Sequence, residues 1–111
     1  MAQLRGEELL RRVDEIEVAF YRVKESAEKA LGGDEASKET SFQDVFALNN
    51  EIGRLGREVK VVMPKMKELQ TYVNMITVGL KYDKPESLLD GLRSSEMAIK
   101  ALRVELPLML P

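Results

Sequence analysis

The first third of the chain is crowded with carboxylates: Glu7, Glu8, Asp14, Glu15, Glu17, Glu25 and Glu28. Paired carboxylates can move protons or hold metal ions. Metal sites inside helical bundles combine such acids with histidines one turn away on an inward face. This chain has no histidine and no cysteine. The commonest general base, the commonest metal ligand, thiolate metal sites and disulfides are therefore all missing. The acids also alternate with Arg and Lys, the pattern of a solvated helix face. Two adjacent hydroxyls, Ser94 and Ser95, have no activating base near them in sequence, as a nucleophile would need. Ser95 falls on an apolar seam, where a small residue marks close packing. Gly53-Arg54-Leu55-Gly56 has the spacing of a nucleic-acid-clamping GxxG loop, but Leu55 keeps its place in an apolar repeat and no βα pattern surrounds it. It reads as two glycines in a helix, with another backbone expected close by. The expectation is a non-catalytic protein with no cofactor and no metal.

Charge and composition narrow the partners. Seventeen basic and nineteen acidic residues leave a formal charge of -2, and no block of five like charges occurs. Neither nucleic acid nor an anionic membrane surface is indicated. Met1 to Leu10 carries Arg5, Glu7 and Glu8, which is not the pattern of a secretory signal, and no apolar run reaches the length of a membrane span. The cysteine-free composition fits a reducing compartment, and the expected location is cytoplasmic. At 111 residues the chain is expected to form a single domain, 1–111.

The elements are written in the apolar spacing. Val45, Leu48, Ile52, Leu55, Val59, Val62, Met66, Leu69, Val73, Ile76 and Leu80 follow one another at alternating steps of three and four. That period predicts one long helix over 42–81 with a narrow apolar seam. A first helix is expected over 3–31, with Leu9, Val13, Ile16, Phe20, Val23, Ala27 and Ala30 as its seam. Glu7 with Arg11 and Glu8 with Arg12 are favourable pairs one turn apart. Gly32 and Gly33 end that helix, and 32–40 reads as a polar surface loop. Ser41 or Thr40 is the expected cap of the next helix. A third helix is expected over 85–106, started by Pro85, ended by Pro107, with Leu88, Leu92, Ser95, Ile99, Leu102 and Leu106 as its seam. The apolar tail Leu108-Met109-Leu110-Pro111 has no evident cover.

Pro64 challenges the long helix, because an interior proline removes a backbone hydrogen bond and clashes with the preceding turn. It either kinks the helix or breaks it into two, giving four helices. The heptad phase is the same on both sides, and no capping residue precedes Pro64, so a kink is expected. The resulting fold class is all-α: an antiparallel three-helix bundle with coiled-coil packing and a kinked central helix. That central helix would be roughly 60 Å long, against ~43 Å and ~33 Å for its neighbours, so it should overhang them.

From Tyr72 to Tyr82 the chain is apolar nearly all round the helix, which implies burial on several sides. Tyr72, Met75, Val78 and Tyr82, with Met97 and Val104 on the third helix, are the candidate partner-binding residues. Methionine suits adaptable contacts. The functional expectation is a protein–protein interaction or assembly module, a homodimer or hetero-complex, that binds by helix-in-groove recognition. Met75→Lys with Val78→Lys should then abolish association. Two other readings are a structural spacer in a larger helical protein and a small-molecule or lipid carrier lined by the same apolar stretch.

Overall fold

A computed structural model describes residues 6–109. The expected helix start near Gln3 and the last two residues of the tail, Leu110 and Pro111, lie outside them. Within that range the chain is all-helical: α1 (Gly6–Leu31), α2 (Glu35–Glu58), a 3-10 turn (Lys60–Val62), α3 (Met63–Lys81) and α4 (Pro85–Met109).

The helix expected over 42–81 is two helices, and the three-helix bundle is a four-helix one. At Val59 the backbone leaves helical geometry (φ -128°, ψ 89°). The 3-10 turn follows, and Pro64 enters the first turn of α3, where an N–H has no intrahelical partner to lose. Gly56 of α2 lies against Met66 of α3, so the chain reverses at this corner. The seam keeps its phase across the break for a physical reason. A 3-10 helix turns once in three residues, so Val59 and Val62 point the same way, and both are buried. An unbroken heptad phase is therefore compatible with a sharp reversal.

A second correction concerns the loop at 32–40. Only Gly32, Gly33 and Asp34 separate α1 from α2. Asp34, not Thr40 or Ser41, is the N-cap: its carboxylate accepts from the N–H groups of Ala36 and Ser37 and from the Ser37 hydroxyl. Those hydrogen bonds hold its pKa below the ordinary aspartate value. Residues 35–40 are mostly exposed, so they carry no apolar period to announce the helix. At the other end, Pro107 lies inside α4 rather than after it.

The four helices run alternately up and down. Arg12 meets Glu58 and Ser26 meets Asp44 across α1 and α2. Lys65 meets Glu105 across α3 and α4. Arg103 pairs with Asp14 and Glu17, and Lys24 with Glu96, across α4 and α1. Each helix packs on its two neighbours, and the diagonal pairs make no comparable contact. All four seams meet in one core. Every residue of the 45–80 series is buried, as are Leu88, Leu92, Ser95, Ile99, Leu102 and Leu106. The domain measures 46 × 20 × 18 Å. With the central helix divided, the whole 45–80 seam is covered by the described residues, and the expected uncovered end is not found among them. No helix among the described residues is long and apolar enough to cross a membrane.

Candidate interaction surface

The surface is set by how closely α3 and α4 approach. A Cβ on Gly79 would come within 2.6 Å of the Leu88 backbone nitrogen. A Cβ on Gly91 would come within 2.9 Å of the Ile76 nitrogen and the Tyr72 carbonyl oxygen. Backbone lies against backbone at both places. The backbone approach expected at Gly53 and Gly56 is looser: an added Cβ would meet only side chains at Gly53, and at Gly56 the Met66 side chain at 3.5 Å and the Met63 Cα at 4.0 Å. Ser87 Oγ donates to the Met75 carbonyl at 3.0 Å, and Ser95 is fully buried between the helices.

With its seam pressed into the core, α4 turns its opposite side to solvent. Ser94, Met97, Ala101, Val104 and Leu108 recur on that side at steps of three, four, three and four. Met97 is 66% exposed, Val104 68% and Leu108 82%. The helix therefore has two apolar stripes: one completes the core and the other is uncovered. The second was legible as spacing, but Met97 and Val104 read as isolated residues until Ala101 and Leu108 were placed between and beyond them.

Of the sequence candidates, Tyr72 and Met97 are brought together, lining one groove with Glu68, Ser94 and Ala98. The Tyr72 hydroxyl donates to Glu68 at 3.0 Å, and this bond to a carboxylate raises the phenol pKa. Val104 continues the stripe two turns beyond Met97. Met75 and Val78 are half-buried on α3. Tyr82 is exposed at the α3–α4 turn with Lys81 Nζ 5.4 Å from its ring centroid, at the opposite end of α4 from Val104. The six residues thus do not form one patch.

Charges border the stripe asymmetrically. On the side toward α1, Glu96 accepts from the Tyr21 hydroxyl at 2.9 Å and from Lys24 at 3.3 Å. The Tyr21 bond first, with Lys24 assisting, holds the Glu96 pKa below the ordinary carboxylate range. Arg103 is clamped by Glu17 and Asp14. Lys100 lies between them with its ammonium 3.8 Å from Glu96, and Arg93 lies two turns earlier than Lys100, 3.7 Å from Asp90. Both are exposed. On the side toward α3 stand Ala98 and Glu105, with Lys65 on one carboxylate oxygen of Glu105.

The acids of α1 do not gather. Asp14 and Glu17 engage Arg103, and Glu15 engages Arg12. Arg12 pairs with Glu15 and Glu58, not with Glu8 as its spacing suggested. Among the described residues no group of three or more acids stands close enough to hold a metal ion. A second groove, between α1 and α2, is lined by Val18, Ala19 and Ala47 but broken up by Arg11, Asp14, Glu15, Arg22 and Glu51. Comparison with known protein families, with curated proteins and with solved structures finds no match to this chain.

Proposed function

We propose that the chain is a non-catalytic, cytoplasmic protein–protein interaction module that docks a partner helix along the outer stripe of α4. One observation carries this reading: Met97, Ala101, Val104 and Leu108 form a continuous apolar line on the face opposite the buried seam. Solvent-facing apolar residues scattered singly need no explanation, but a stripe at heptad spacing has the form of a helix-docking site. Burial of the three large anchors, Met97, Val104 and Leu108, would supply the affinity, at about 25 cal/mol per Å² of apolar surface covered. The bordering charges would select register.

Neither other sequence reading gains support. A spacer that joins units end to end needs its first and last helices to leave from opposite ends. Here Asp14 of α1 meets Arg103 of α4 and Arg12 meets Glu58, so the start of α1 and the end of α4 lie at the end that also holds the Val59–Val62 corner. A carrier needs an enclosed apolar cavity, whereas the space beside Gly79 and Leu80 is a groove of about 150 Å³ edged by Lys38 and Asp83.

The test uses Met97→Lys with Val104→Lys. Both positions are exposed, so the melting temperature should stay within about 2 °C of wild type. Met75→Lys with Val78→Lys would be a poorer test, because both side chains are half-buried and folding would change with binding. Affinity capture from source-cell lysate should recover a partner with wild type and lose it with the double variant. Equal recovery by both chains would remove the α4 stripe from the reading.

A further inference from the structure

We propose that the stripe on α4 is a self-docking surface: its occupant is a second copy of this chain, α4 against α4, with the two helices running in the same direction. The proposal rests on the interaction reading above and names its partner. Placed on a heptad, Ser94, Ala101 and Leu108 take one line of core positions and Met97 and Val104 the other. Lys100 and Arg93 then border the stripe on the α1 side, and Ala98 and Glu105 on the α3 side.

Charge selects both the copy and the direction. In a parallel pair, a residue on one border faces the residue five places later on the opposite border of the other helix. Lys100 therefore faces Glu105 of the second copy, and twofold symmetry repeats the pair. In an antiparallel pair each border faces its own kind, which sets Lys100 against the basic border and Glu105 against Ala98 or Glu105. Only the parallel arrangement joins opposite charges. Both groups are open to it. Lys100 has only a loose contact with Glu96, at 3.8 Å, and a side chain 65% exposed. Lys65 engages Oε2 of Glu105, and a carboxylate has capacity for a second cation. Ala101 at the middle of the stripe lets the helix axes come close.

The contact is short. From Met97 to Leu108 the stripe spans roughly 16 Å, which places the interface below the size of stable dimers. The expected association is weak and concentration-dependent, with Kd on the order of 100 µM.

Sedimentation equilibrium of the full chain, up to about 1 mM, reads this directly. Wild type should pass from monomer to dimer, and Lys100→Glu should raise Kd about tenfold by turning two attractions into repulsions. The orientation is read separately with Leu108→Cys. The chain has no cysteine of its own, so any oxidised dimer reports the introduced thiol. A parallel pair sets the two thiols across the axis from each other and crosslinks. An antiparallel pair holds them roughly 20 Å apart and does not. A chain monomeric at every concentration overturns the second copy as occupant, and leaves the lysate capture to decide the interaction reading. A dimer that is indifferent to Lys100→Glu and yields no crosslink overturns the parallel arrangement.

Discussion

Leu31 and Lys81 leave their helices through turns of the same shape. Asp34 N–H reaches back to the Lys29 carbonyl and Lys84 N–H to the Gly79 carbonyl, in each case five residues back. Both turns place a residue at positive φ, Gly33 at 101° and Asp83 at 52°, as the common glycine-type helix stop requires. The molecule is thus two helical hairpins, α1–α2 and α3–α4, folded together at the Val59–Val62 corner. They are held by different means. The first hairpin uses side chains: Asp34 caps α2, Ser26 Oγ donates to Asp44 at 2.9 Å, and Arg12 bridges to Glu58 at 3.1 Å. The second uses backbone proximity at Gly79 and Gly91, and starts α4 with Pro85. Helices joined by side-chain contacts keep polar groups on their shared surface. The stripe at heptad spacing lies on the second hairpin, while the first hairpin exposes Val18 and Phe46.

The contrast is sharpest at the glycines. Gly79→Ala drives a methyl into the Leu88 backbone, and should destabilise the fold by about 3 kcal/mol, read as the shift in a urea midpoint. Gly56→Ala is the matching change at the corner where α2 meets α3. Its Cβ would stand 3.5 Å from Met66, an ordinary contact, so the gain in helix propensity should stabilise by up to about 1 kcal/mol. Equal effects from the two would show that the α3–α4 backbone contact is no tighter than the side-chain contact at the corner.

Asp34→Ala should cost about 1 kcal/mol through the lost cap of α2, measured by thermal unfolding. An unchanged melting temperature would mean that the first hairpin does not depend on its polar turn.

The seam between the hairpins should respond to acid. The folded pKa of Glu96 lies below its ordinary value because the Tyr21 hydroxyl and Lys24 favour the carboxylate. Such a group contributes stability that is fully present above its unfolded pKa and lost as pH falls through the folded one. Tyr21→Phe should therefore flatten the loss of stability below the ordinary glutamate range. Parallel acid titration curves for the two chains would show that this bond does not couple α1 to α4.

The smallest effect is expected inside the second hairpin. Ser95 Oγ is fully buried and has no hydrogen-bond partner among the described residues. Ser95→Ala should leave stability unchanged or raise it by up to about 1 kcal/mol. A clear loss would reveal a partner for the hydroxyl, and a polar link in the second hairpin beyond Ser87–Met75 and Lys65–Glu105.

Residue spacing by itself determined which side chains go inside. Helical period fixes which face is apolar, and water removes that face wherever the helix is placed, so the 45–80 series, Phe20 and Ile99 were legible before any fold was known. It also marked Ser95 as a close-packed position and Gly32-Gly33 as a stop. The tertiary structure decided where the chain reverses. Val59 and Val62 satisfy a straight helix and a 3-10 corner equally, because both geometries turn them to one side, and only packing of α3 against α2 separates the two. It likewise decided which glycines meet a backbone, since that depends on the helix lying opposite. Last, it decided which apolar residues were left over: Met97 and Val104 became a surface when the seam of α4 filled the fourth side of the core.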